Sequence, residues 1–351
     1  MPDHVAKLAI VDLPRPRAYS VVVLAVVGVL CASVVAVNVV VNPRAEFPST
    51  AVPPLVFYNL QRKLDAYQAL ETPVSDLVLG TSRAGYVSGL PGRENETFNF
   101  AIVGSPPEDW RDLYRFFKRE QGPPTNLVLV VDQNSFTDLF APRIADSIEA
   151  EAILGVPPVL SDQVSLALRT LSVPYVLDTL NSLKFRFVTG YPQAAPPKAF
   201  PDFARSDLME HYRAGRFSPA EASPTIDQQF ERAFGPGSVH VPSRADALRS
   251  LLEEAVADGV VVDVVLPPIQ PVALADLESR FPGFLEQTKN VRDALIAFCP
   301  SITVIDATGG EAVGIDPALF YNQTHLTKEG ADQLMQAVAA GRADACAPAT
   351  S

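Results

Sequence analysis

The chain has 351 residues, 48% of them hydrophobic and 19% charged, enough to bury a sizeable core but too few for more than about two globular domains. Its formal net charge of -12 excludes an extended cationic surface, and with it a nucleic-acid partner, because phosphate binding depends on cations that release counterions.

No charged residue occurs from Ala18 to Pro43, and the stretch "YSVVVLAVVGVLCASVVAVNVVV" over 19–41 is almost wholly apolar. At about 1.5 Å per residue it covers the ~30 Å hydrocarbon core with some tilt. In lipid a helix satisfies its own backbone groups, which outweighs the poor helix propensity of valine. The competing reading is a cleaved signal peptide, whose apolar core is only about 7–15 residues and which ends in a small-residue cleavage site. The run is longer and no clear A-x-A site follows, so the expectation is an uncleaved anchor at 19–41 behind a tail at 1–18. Lys7, Arg15 and Arg17 precede the span while Arg44 alone follows it immediately. The positive-inside tendency then keeps the N-terminus cytoplasmic and puts the main domain outside the cell (inner) membrane. Residues 42–72 are proline-rich at first and amphipathic over 55–70, and read as a stalk.

Beyond the stalk the pattern changes to short apolar runs: "DLVLG" (76–80), "TFNFAIV" (97–103), "NLVLVV" (126–131), "VVVDVVL" (260–266) and "ITVID" (302–306). Helical patterns alternate with them at 106–120, 242–259 and 327–341, the first with proline and acids at its start and bases at its end. Five such runs predict a three-layer α/β/α domain of the flavodoxin-like type over 73–345, with a five-stranded parallel sheet and a short tail at 346–351. Residues 140–241, rich in proline and aromatics and with helical pieces near 147–154 and 163–187, form a largely helical insertion, either a cap over the ligand edge or a docking surface.

Cys31 lies in the span, and Cys299 and Cys346 are the only other thiols; they are either one disulfide of an oxidising compartment or two unrelated small residues. Asn95-Glu96-Thr97 and Asn322-Gln323-Thr324 match the glycosylation sequon, a pattern short enough to arise by chance. His211 and His240 have no zinc-ligand spacing, and no phosphate loop or dinucleotide fingerprint occurs, so no metal and no cofactor is expected.

In an open parallel sheet, ligands bind beyond the carboxyl ends of the strands. Past the first run stands "GTSRAG", where Ser82 is either a hydroxyl exposed at the start of a following helix or an ordinary helix cap. Past the second is Gly104, whose backbone can approach a ligand closely. Past the third is Asn134, either an oxyanion donor or a turn residue. His325, after the last strand, can supply a general base at the same edge.

Four polar residues in the order Ser, Gly, Asn, His, each just past a core element, resemble the SGNH/GDSL hydrolase superfamily over roughly 75–341. Its blocks are matched by Gly80-Thr81-Ser82, by Gly104 in "NFAIVGS", by Asp132-Gln133-Asn134-Ser135, and by Asn322-Gln323-Thr324-His325-Leu326-Thr327. The anchor, the "GTSRAG" form of the first block and the long insertion are most similar to bacterial proteins that O-acylate cell-envelope polymers, such as alginate O-acetylation proteins and the D-alanine transfer protein of teichoic acids.

The resemblance implies that Ser82 attacks an ester carbonyl, His325 takes its proton, and the N–H groups of Ser82 and Gly104 with the Asn134 side chain hold the oxyanion. It implies a serine esterase or O-acyltransferase acting on acyl groups, acetyl foremost, of an acylated or acceptor glycan, with a membrane-bound O-acyltransferase as partner. A catalytically silent glycan-binding or scaffold subunit and a stand-alone small-ester or lipid hydrolase are the alternatives.

The chain departs from the pattern at Thr81, Asp132 and Asn322, and only the last touches the catalytic charge, since Asn322 stands where the family has Asp. An Asn accepts a hydrogen bond from imidazole but supplies no negative charge, and with its NH₂ toward the ring it holds the wrong tautomer. Asp316 and Asp306 are therefore candidate substitute acids, with Asp316 ahead.

Overall fold

The computed structural model describes residues 16–43, 60–142, 144, 153–155, 170–184, 187, 224–236, 238–320, 322–341 and 344–346. The charges Lys7, Arg15 and Arg44, on which the orientation rests, fall outside these, as do His211 and most of the insertion.

Helix α1 (Pro16–Val41) contains Tyr19–Val41, the one stretch among the described residues long and apolar enough to cross a membrane. Its side chains are exposed nearly all round until the last turn, where Asn38 and Val41 are buried.

Strands β1 (Asp76–Gly80), β2 (Thr97–Asn99), β3 (Asn126–Val130), β4 (Val261–Leu266) and β5 (Thr303–Asp306) form one parallel sheet in the order β2-β1-β3-β4-β5. Each expected run carries a strand. The second stops at Asn99, because the Asn99 carboxamide turns back to accept the Ala101 N–H and donate to the carbonyls of Ala84 and Val87.

Strand side chains alternate between two buried faces, which is why these runs read as continuously apolar. Leu77, Leu79, Leu127, Leu129, Val262 and Val264 face α2 (Leu60–Gln68), α3 (Pro107–Gln121), α6 (Pro242–Ala257) and α8 (Pro282–Ile296). Val78, Val128, Val130, Val265 and Ile305 face α9 (Lys328–Ala339). The insertion contributes α4 (Val173–Lys184) and α5 (Pro224–Phe234), and α7 (Pro271–Arg280) precedes α8 between β4 and β5. Phe230 and Phe234 of α5 pack on Phe284 of α8.

The stalk needs correction. Its amphipathic part is α2, whose Leu60, Leu64 and Tyr67 are buried in the main core, Tyr67 within a ring cluster with Phe98, Phe100, Phe116 and Phe117. Lys63 is buried too, donates to the Asn99 carbonyl, and is lowered by burial to a pKa of about 7. An apolar stripe facing solvent is unstable, so α2 belongs to the α/β domain, which begins by residue 60.

Cys299 and Cys346 are joined in a disulfide that ties the segment 344–346 to the sheet edge, where the Ala345 N–H donates to Val304 and Asp344 bridges Ile305. The sequence separation is 47 residues, and cross-links closing loops of that order stabilise by about 2–4 kcal/mol. Reduction, or Cys346→Ser, is expected to lower the unfolding free energy by about that amount in urea titrations followed by circular dichroism. An unchanged midpoint would show that the bond carries no stability.

Candidate active site

Gly80 ends β1 at φ 143°, where a Cβ would lie 2.5 Å from the Val130 carbonyl oxygen. Only glycine lets β1 close against β3 there and turn at once. The turn is a 3-10 segment, Ser82–Ala84, rather than the start of a long helix, capped by the Thr81 hydroxyl, which accepts from the Arg83 N–H. Ser82 is thus presented at the carboxyl edge of β1, beside the β1/β3 switch point where the strand order reverses.

Hydrogen bonds bind the neighbouring loops to this turn. Gly104 sits at φ 64° in the loop after β2. The next residue, Ser105, is fully buried; its hydroxyl lies 3.0 Å from the carbonyls of Gly80 and Ile102 and accepts from Trp110 Nε1 at 2.7 Å. Asn134 lies in the 3-10 segment Gln133–Phe136, whose first amides are capped by Asp132. The Ser135 hydroxyl donates to the Ser105 carbonyl, joining the second and third loops. The Asn134 carboxamide makes no hydrogen bond among the described residues, and its Oδ1 is buried. A buried carboxamide oxygen without a partner is uncommon in folded proteins.

His325 reaches this edge from the loop before α9. Its Nε2 is 2.8 Å from Ser82 Oγ, across 243 residues of sequence. Asn322 Oδ1 is 3.0 Å from His325 Nδ1 and also accepts the backbone N–H groups of Thr324 and His325, both at 2.9 Å. Two backbone donors fix that atom as the oxygen, since an NH₂ there would face two N–H groups. Nδ1 therefore carries the proton, and Nε2 presents its lone pair to Ser82, the tautomer a general base requires. The Thr324 hydroxyl lies 3.0 Å from the same Nδ1.

The charge environment is the reverse of the usual triad. Burial and the nearby Arg83 guanidinium lower the His325 pKa to about 3, so the ring is neutral across the physiological range. Neither candidate acid offsets this. Asp316 caps the Ala318 N–H, and Asp306 accepts the Thr308 N–H and pairs with Arg292, so neither contacts the imidazole. The fold does not bring either candidate substitute acid to the ring: the Asp316 Oδ1 and the Asp306 carboxylate are engaged by turns and a cation of their own.

Arg83 is the residue that sequence reasoning misses. Its Nε donates to Thr324 O, one residue from His325; its Nη2 donates to Pro267 O and Pro268 O beyond β4; its Nη1 donates to Gln133 and pairs with Asp132 at 3.5 Å. One planar guanidinium thereby holds the loops after β3 and β4 and the histidine loop to the serine turn. The available signal is a cation in a turn otherwise made of small residues, answered by the Asp132 carboxylate just past the third apolar run.

No family model matches the chain, and no curated protein matches it. Among solved structures, one described as a candidate acylhydrolase from Bacteroides fragilis NCTC 9343 is similar over 80% of this chain and 94% of its own, at 15% identity and a TM-score of 0.37. A likeness at that score carries no argument, so the chemistry rests on the site itself.

Proposed function

We propose that the protein is a membrane-anchored, extracytoplasmic SGNH-type serine esterase or O-acyltransferase acting on acyl groups, acetyl foremost, of a cell-envelope polysaccharide. The observation that carries this is the contact between Ser82 Oγ and the unprotonated Nε2 of His325, with the tautomer held by Asn322. Ser82 attacks the ester carbonyl as Nε2 takes its proton; the same proton then goes to the leaving alkoxide, and water or a sugar hydroxyl takes the acyl group from Ser82. The Asn134 Nδ2, which makes no hydrogen bond among the described residues, supports its role as oxyanion donor, together with the N–H groups of Ser82 and Gly104.

Two features support the placement. Tyr19–Val41 suits a single-pass anchor with a cytoplasmic N-terminus, and the Cys299–Cys346 disulfide suits an oxidising compartment outside the cytoplasm. The transferase reading, with an acceptor glycan and a membrane-bound acyl donor as partners, rests on the sequence resemblance. A second reading, a silent glycan-binding subunit, is favoured by one observation: His325 faces a cation and has a neutral amide at Nδ1 where a carboxylate would stabilise its charged form.

Fluorophosphonate labelling and aryl-acetate hydrolysis by the full chain in detergent separate the two readings. Labelling that is lost in Ser82→Ala and falls steeply in His325→Ala is the expected result. A folded wild-type chain that takes no label would overturn autonomous catalysis. Transfer of acetyl to an added oligosaccharide in preference to water would assign the transferase.

A further inference from the structure

Helix α4 of the insertion is built inside out for a helix in water. Tyr175, Thr179 and Ser182, spaced four and three residues apart, are buried, whereas Val173, Leu177 and Leu180 on the opposite side are 71%, 53% and 56% exposed. A helix at an aqueous surface turns its apolar stripe inward. This one turns hydroxyls inward and branched aliphatics outward, the pattern expected where the surrounding medium is itself apolar. Phe187, one turn beyond Lys184, is also 75% exposed.

Its location explains the inversion. α4 packs on α1, near the end of the apolar run. The contact is at the final turns of the anchor: Asn38 donates its side-chain amide to Thr170 O just ahead of α4, and Asn38, Val41 and Asn42 are buried there while Val37 and Val40 stay exposed. Val41 is the last residue of the apolar run, so α4 lies at the depth where α1 leaves the hydrocarbon. Twelve residues are too short to span a bilayer and enough for a helix bedded in its boundary. Lys184, on the exposed side at the helix end, is placed to keep its ammonium among headgroups.

We infer that α4 is a second membrane contact, with its Val173–Leu177–Leu180 face seated against the lipid boundary of the leaflet into which α1 emerges. This rests on the reading of α1 as an anchor. Two contacts instead of one hold the α/β domain at a fixed height and tilt over the bilayer, which suits a substrate delivered at the membrane surface.

Site-directed spin labelling of the full chain in phosphatidylcholine/phosphatidylglycerol vesicles tests it. Cys31→Ser removes the one free cysteine among the described residues, after which Leu177→Cys, Leu180→Cys, Val29→Cys and Val272→Cys each take a nitroxide. These side chains are exposed, so the substitutions leave the fold intact. The expected result is lipid-type accessibility at 177 and 180: oxygen collisions several-fold above those with a water-soluble nickel chelate, shallower than at 29 and opposite to 272. Aqueous behaviour at 177 and 180 with lipid behaviour at 29 overturns the inference and leaves the anchor standing. Inaccessibility to both relaxants also overturns it, by showing protein on that face, such as a second copy. Aqueous behaviour at 29 removes the anchor and the inference together.

Discussion

Asn322→Asp is expected to raise turnover on an aryl acetate by about 10-fold to 10²-fold, a gain set by what the native residue already supplies. In serine proteases the exchange of this acid for an amide costs about 10⁴, with a wrongly held tautomer as the main cause. Here the tautomer is already correct, because Asn322 Oδ1 is fixed by two backbone amides. What is missing is the negative charge that stabilises the imidazolium as Nε2 accepts the Ser82 proton, and the substitution restores only that part.

The pH profile provides an independent check. The neutral ring is the active form, so activity falls as pH drops through the folded-state pKa of His325, which lies near 3 in the native chain. The acid limb of kcat/KM should therefore lie far below the ordinary histidine range, as low as the fold survives, and the Asn322→Asp substitution should move it upward. Stability follows the same sign. Between about pH 6.5 and 3 the unfolded chain binds a proton on this histidine that the folded chain refuses, so its contribution to stability is full above that window and declines as pH falls through it. Unchanged turnover together with an unmoved acid limb would show that the ring's charge does not limit the reaction.

The sheet is legible in the sequence because a parallel strand buried on both faces leaves an unbroken apolar run, and "DLVLG" and "NLVLVV" meet the observed β1 and β3 within a residue. The partner of an amphipathic helix is not written in the helix. Leu60, Leu64 and Tyr67 mark a buried stripe but not the core that receives it, and the segment reads as a stalk until the fold is in view. Helices α7 and α8 escape the sequence reading, although proline opens each of them. Within the candidate site, order along the chain points to Ser82 and His325, which the fold brings to 2.8 Å, and to Gly104 and Asn134 in the neighbouring loops. Orientation is beyond it: which way the Asn322 amide faces depends on two backbone N–H groups that only the folded loop brings round, and the carboxylates of Asp306 and Asp316 are engaged by turns of their own.

Arg83→Met is expected to cost about 3–5 kcal/mol of stability, the range for removing one partner of a buried ion pair, because the Asp132 carboxylate stays buried without its cation. Arg83→Lys should recover only part of this: an ammonium keeps the charge but lacks the planar fork that reaches Thr324, Pro267 and Pro268 at once. Stability alone does not separate a scaffold residue from one that positions the base, so the discriminating readouts lie elsewhere. Arg83 lowers the His325 pKa through space and holds the carbonyl of the preceding residue. Arg83→Met should therefore raise the acid limb of kcat/KM while slowing fluorophosphonate labelling of Ser82 at neutral pH, as a more basic but less well held imidazole would. Arg83→Lys should slow labelling with a much smaller move of the limb, since the positive charge remains. A variant that unfolds more easily yet labels at the native rate with the native pH profile would reduce Arg83 to a structural rivet and leave the alignment of His325 to Asn322 and Thr324.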